Sequence, residues 1–92
     1  MMNENANVIV EFFGMPRLRA GRHELRVAPG TVADVLARVE RGCPGLAGMI
    51  RADGRLAPHY LLSIDGRRFV TDLTEEISAG EKLLLLSADA GG

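Results

Sequence analysis

Tryptophan is absent from this chain, and aromatic residues make up only 4% of its 92 positions. Stacking of bases on aromatic side chains, a common grip on single-stranded nucleic acid, therefore has little to work with. Nor does either charge predominate. Eleven Lys and Arg against twelve Asp and Glu leave a net charge of -1, which excludes a global basic field for nucleic acid or an anionic membrane. The single cysteine, Cys43, excludes an internal disulfide framework and any cysteine-only metal or iron–sulfur site. It stands in Arg41-Gly42-Cys43-Pro44 with no activating constellation nearby, so a structural or incidental role is expected. No apolar run approaches the ~20 residues of a membrane span, and Met1 to Asn7 lack a basic-then-apolar signal layout. A cytoplasmic protein is expected, with neither nucleic acid nor membrane as partner.

What is present is a chain with 47% hydrophobic and 25% charged residues, too short to divide into two cores. The core must be built from Leu, Val, Ile and Ala. Three segments are expected: residues 1–7 as a disordered N-terminal segment, 8–87 as one domain, and 88–92 as a flexible tail.

Val8-Ile9-Val10-Glu11-Phe12-Phe13, rich in β-branched and aromatic residues and closed by Gly14, predicts a first strand. Met15 to Gly21 reads as a loop punctuated by Pro16 and Gly21. His23 to Val27 alternates polar and apolar residues, predicting a half-buried strand paired back as a hairpin. After Pro29-Gly30, Thr31 is a candidate N-cap with Asp34 in the capping-box position. Val32, Val35, Leu36 and Val39 then fall on one helical stripe, stopped by Gly42 and Pro44. Gly45 to Pro58 reads as a short helical turn and an exposed loop around Asp53-Gly54. Tyr60 to Ile64 predicts a third strand, with Asp65-Gly66 supplying the positive φ of a tight hairpin turn, and Arg68 to Val70 a short fourth. Thr71 to Gly80 reads as a connection with one helical turn near Leu73 to Ile77. Lys82 to Ser87 predicts the last strand. Its four consecutive leucines suit the centre of a sheet with both faces covered. This order is α+β: a mixed sheet of about five strands packed on one main helix.

No catalytic set is visible. His23 and His59 are far apart in sequence, and neither Ser63 nor Ser87 has a base near it, so no catalytic and no metal-binding residues are assigned. Arg17, Arg19, Arg22 and Arg26, with Glu24 among them, read as solvated hairpin residues. Asp72, Glu75, Glu76, Glu81 and Asp89 face only Lys82 in their stretch. The surface near the C-terminal end is therefore expected to be acidic and suited to a basic partner.

Two features point to function. The last positions are Ala90-Gly91-Gly92, and glycine lets a chain end thread through a slot too narrow for side chains; a frayed end is the alternative. Five residues from Ala88 reach roughly 16 Å at about 3.3 Å each. Asp89 and Ala90 in that tail are candidate partner contacts, Asp89 at a basic channel mouth or simply as a solubilising charge. Strand alternation also puts Val8, Val10 and Phe12 on one sheet face and Ile9, Glu11 and Phe13 on the other. Glu11 argues that the second face is open, so that Phe13 and Leu61, with Leu84 or Leu86, form a partner patch. The alternative is that these residues complete the core.

Taken in order, the first strand and hairpin, Gly30-Thr31-Val32-Ala33-Asp34-Val35-Leu36, Ile64-Asp65-Gly66, Ser78-Ala79-Gly80-Glu81-Lys82 and Ala90-Gly91-Gly92 resemble the ubiquitin-like β-grasp sulfur carriers of the MoaD/ThiS family. The resemblance runs from Val8 to Gly92. Ser87-Ala88-Asp89 stands where many members carry prolines, and the segment from Cys43 to Pro58 is longer than in the most compact ones. The family implies a non-enzyme that binds no cofactor of its own. A ubiquitin-activating-type adenylyltransferase would use ATP and magnesium to convert the Gly92 carboxylate, next to Gly91, into an acyl-adenylate. A sulfur donor would then leave a thiocarboxylate, and a biosynthetic enzyme would accept the sulfur. Molybdopterin, thiamine, cysteine and other thio-metabolite pathways are all open, as are conjugation to lysines through Gly92 and a plain β-grasp interaction module.

Overall fold

The computed structural model describes residues 6–88. Strand β1, Val8–Phe12, buries its odd-turned side chains Val8, Val10 and Phe12 and leaves Ile9 and Glu11 half-buried on the other face, as the period of two requires. Strand β2, Glu24–Val27, returns antiparallel to it from Val8↔Val27 to Glu11↔Glu24.

Between these strands the chain departs from expectation: Met15–Ala20 is a helix, α1, and not a loop. The two residues that suggested a loop sit at its ends, where they favour a helix. Pro16 occupies the first turn, where its missing N–H costs nothing. Gly21 closes the helix in the left-handed conformation, its N–H donating to the Arg17 carbonyl at 3.0 Å.

Gly30–Thr31 forms a short strand, β3, and leads into helix α2, Val32–Gly42. The capping box is present in full: Asp34 N donates to Thr31 Oγ1, and Thr31 N donates to Asp34 Oδ2. The predicted stripe of Val32, Val35, Leu36 and Val39 is completely buried. A 3₁₀ turn at Pro44–Leu46 follows, and Leu46 and Met49 close one end of the core.

Strand β4, Tyr60–Ile64, turns through Asp65 (φ 56°) and Gly66 (φ 70°) into β5, Arg68–Phe69. A plain two-residue turn would pair Ile64 with Arg67. Here Ile64 pairs with Arg68 and Ser63 with Phe69, so Arg67 is an extra, bulged residue. That one-residue offset sends Phe69 to the open face and Val70 to the core.

The expected helical turn near Leu73 to Ile77 is not formed. Glu76–Ile77 is instead a strand, β6, paired with β3. The carbonyls of Leu73 and Glu75 accept from Ala33 N and Val32 N. They satisfy donors that the first turn of α2 cannot satisfy itself, and so are unavailable for a local helix.

Strand β7, Lys82–Ser87, lies at the centre of the sheet, in the order β2-β1-β7-β4-β5. It runs parallel to β1 and antiparallel to β4. The leucine run is nevertheless covered on one face only: Leu83 and Leu85 are buried, while Leu84 and Leu86 are half-buried. Ahead of the domain, the Asn7 carbonyl accepts from Gly80 N at 3.0 Å.

Candidate functional site

The open face of the sheet carries the expected patch. Register places Leu86 opposite Leu61, and Leu84 opposite Ser63 on one side and Glu11 on the other. Phe13, one residue past β1, donates its N–H to the Leu85 carbonyl and continues the row beside Leu86. Phe13 and Leu61 are each 40% exposed. Both leucines contribute, where the sequence left a choice of Leu84 or Leu86. Phe69 belongs to the same face, is 66% exposed, and was not anticipated. Its only signal in the sequence was the Asp65-Gly66 turn, which does not disclose the bulge. A groove lined by Leu56, Pro58, Tyr60, Leu61, Phe69 and Val70 continues the patch across the β4–β5 flank. Contiguous exposed apolar surface of this kind makes the face a candidate partner site.

The end of the sheet where β7 finishes is formed by α1 and by the start of β4. Pairing continues to Tyr60↔Ser87, and Ala88 N donates to the His59 carbonyl at 2.9 Å. A Cβ placed on Gly14 would lie 3.4 Å from Ser87 Cβ, so α1 begins directly against the last strand residue. Asp89, Ala90, Gly91 and Gly92, expected to carry the chemistry and contacts of the tail, lie outside the described residues.

The acids expected around this exit are divided: Asp72 shares a groove with Pro58 and with Tyr60, the partner of Ser87, and Asp89 lies outside the described residues, while the three glutamates lie elsewhere. Glu81 precedes β7 at its other end, Glu76 pairs with Thr31, and Glu75 binds Arg68, whose own partner Ile64 faces Leu83. A six-residue strand at about 3.3 Å per residue carries the chain roughly 17 Å away from them. Beside Ser87 stands α1 with Met15, Arg17 and Leu18, and Arg22 and His23 adjoin Arg17 and Leu18 on the side away from Ser87. Sequence neighbourhood placed the three glutamates at the tail; the fold sets them apart from it and brings Arg17 of α1 beside Ser87.

The remaining reactive side chains are accounted for structurally. Burial removes Cys43 from solvent and pushes its thiol pKa up, which opposes nucleophilic use. Arg17 Nη2 lies 2.6 Å from His23 Nε2, and the His59 ring packs on Tyr60 with centroids 4.5 Å apart. Among the described residues, no three His, Cys, Asp or Glu side chains are grouped to hold a metal ion, and no helix is long and apolar enough to cross a membrane.

No protein-family model and no curated protein matches the sequence. Solved structures do. SAMP1 from Haloferax volcanii superposes with a TM-score of 0.79 at 27% identity, covering 94% of this chain and 99% of that one. The small archaeal modifier protein 1 (SAMP1) from Methanosarcina acetivorans gives 0.77 at 25% identity, covering 95% and 97%. A putative molybdopterin converting factor subunit 1 from Pyrococcus furiosus gives 0.70 at 18% identity, covering 89% and 97%, and so shares the fold. With a mixed five-stranded sheet packed on one main helix and these neighbours, the chain has the ubiquitin-like β-grasp fold.

Proposed function

We propose that the chain is a sulfur carrier, a substrate of other enzymes and not a catalyst itself. The observation that carries this reading is the placement of β7. The central strand is hydrogen-bonded on both flanks and ends beside an exposed apolar sheet face, and Gly91-Gly92 follows Ala88 within four positions. A rigid domain thus presents the docking surface, and side-chain-free residues follow it.

A carboxylate is a poor electrophile because its negative charge repels nucleophiles and oxide is a bad leaving group. In the proposed sequence the Gly92 carboxylate oxygen attacks the α-phosphorus of ATP, bound with magnesium on an adenylyltransferase. The α–β phosphoanhydride breaks, and pyrophosphate leaves. Hydrosulfide adds to the acyl carbon and displaces AMP, leaving the thiocarboxylate. Phe13, Leu61, Phe69, Leu84 and Leu86 form the apolar surface on which the activating enzyme and the sulfur acceptor dock in turn. Asp89 and Ala90 line the entry to the partner channel. The proposed reaction consumes ATP and is assigned to the cytoplasm. The acceptor belongs to molybdopterin, thiamine, cysteine or another thio-metabolite synthesis.

The test is intact-mass analysis after incubation with the adenylyltransferase of the same organism, ATP, magnesium and sulfide. The expected gain is that of one oxygen replaced by one sulfur, abolished by deletion of Gly92. No gain in the intact chain would overturn the reading. The names of the archaeal neighbours favour one alternative, conjugation through Gly92 to lysines of other proteins. Recovery of lysine-linked adducts under reducing and denaturing conditions would select it.

A further inference from the structure

The helix between β1 and β2 is too short to be stable in isolation, yet it is clamped at both ends and along one side. Pro16 starts it, Gly21 caps it, and Gly45 lets the Arg19 carbonyl approach so closely that a Cβ there would stand 2.1 Å from the oxygen. Its exposed residues are consequently held in place.

Those residues have a consistent chemistry. Met15 is 45% and Leu18 75% exposed, and both adjoin Gly14 and Ser87 at the point where the last strand ends. Arg17, Arg19 and Arg22 surround them. Each guanidinium has a neighbour other than a carboxylate: Arg17 Nη2 lies 2.6 Å from His23 Nε2, Arg19 donates to the Tyr60 hydroxyl at 3.4 Å, and Arg22 donates to the Glu24 carbonyl at 2.8 Å. Among the described residues the ion pairs are Arg26–Glu24, Arg51–Asp53, Arg68–Glu75 and Lys82–Glu11. None includes these three arginines. Among the described residues, positive charge is therefore positioned without an ion-pair partner, next to two exposed apolar side chains, on the rim from which the chain leaves the sheet.

We infer that α1 with Arg22 is a second docking surface, separate from the sheet face, and that it fits an acidic rim around an apolar recess on the adenylyltransferase. The inference rests on the proposed function, since the partner is the enzyme that receives the tail. Opposite charge around the channel mouth steers the encounter and fixes the orientation in which the tail enters. A preordered helix binds without the entropy loss of ordering a loop.

The experiment measures ATP–pyrophosphate exchange by the adenylyltransferase of the same organism as a function of carrier concentration, at low and high NaCl. The chains compared are the wild type, the double variant Arg17→Glu/Arg22→Glu, the variant Leu18→Asp, and the charge-preserving double variant Arg17→Lys/Arg22→Lys. Thermal midpoints by circular dichroism establish that each is folded. The expected result is a rise in carrier KM of about tenfold for the charge reversal, with kcat at saturation held. The wild-type KM should rise with salt while that of the reversed variant does not, and the lysine pair should stay near wild type. Leu18→Asp should raise KM as well. If the wild type is adenylated and the reversed variants match it, this inference is overturned and the carrier function stands. If the wild type supports no exchange at all, the function itself fails and the inference with it.

Discussion

The position a Cβ would occupy on Gly45 lies 2.1 Å from the carbonyl oxygen of Arg19, so the 3₁₀ turn after α2 packs backbone against backbone on α1. No rotamer change relieves such a clash, because the obstacle is main chain. Gly45→Ala is expected to destabilise the protein by about 2 kcal/mol or more. Gly48, by contrast, has open space around it but φ +90°. Gly48→Ala should cost about 1 kcal/mol through backbone strain alone. Urea denaturation of the two variants separates the causes.

Phe69 and Val70 are adjacent, yet the bulge at Arg67 puts them on opposite faces. Phe69→Ser should leave stability within about 0.5 kcal/mol, as for other exposed sites, while raising the KM of the carrier in the adenylation assay. Val70→Ala should do the reverse, costing on the order of 1–2 kcal/mol with docking preserved. Denaturation midpoints read beside KM values for the same two proteins check both halves.

Leu36 is fully buried at the centre of the α2 stripe. Leu36→Ala should cost about 2–5 kcal/mol, the range for large-to-small changes in a well-packed core. For a small domain that is a large share of a total of roughly 5–15 kcal/mol. Equilibrium unfolding monitored by circular dichroism measures it.

Three carboxyls have their pKa lowered in the fold: Asp34 by hydrogen bonds from the Thr31 N–H and hydroxyl, Asp72 by the Thr74 hydroxyl and N–H, and Glu75 by Arg68. Each binds its proton less readily folded than unfolded. Its stabilisation is therefore complete above the ordinary values of 3.8 for Asp and 4.5 for Glu, and is lost as pH falls through the lower folded values. The thermal midpoint should stay flat from neutral pH down to that range and then drop. Asp34→Ala should start lower and fall less on acidification, because it has no such proton to take up.

The Cys43 thiol is buried and its pKa is raised. Alkylation by iodoacetamide should be slower than for a free thiol and should accelerate on addition of denaturant. Fast labelling of the folded chain would mean that this end of the core opens locally.

Much of the fold was legible because it is encoded in short stretches. The stripe of Val32, Val35, Leu36 and Val39, the Thr31–Asp34 box, the Asp65-Gly66 turn and the alternation of β1 each depend on residues within one or two turns of one another. The open face with Phe13, Leu61, Leu84 and Leu86 was legible for the same reason, through Glu11 and the period of two. Helix α1 escaped because six residues give too little periodicity, and because Pro16 and Gly21 were read as interruptions when they are its boundaries. The β6 strand escaped because its partner, Gly30–Thr31, is more than forty positions away and adds only two residues to a ladder.

By itself the sequence determined the main helix and the long strands, the buried stripe and the presence of Gly91-Gly92 after the last strand, since all of these follow from local patterns of side chain and φ. Only the tertiary structure decided what surrounds the end of that strand. Parallel pairing joins residues about seventy positions apart, and no local preference records it. That pairing sets α1 with Arg17 beside Ser87 and leaves Glu81 at the other end of β7. In the same way, one bulged residue chose which of Phe69 and Val70 faces outward, because the side-chain period of a strand is two and an offset of one inverts it.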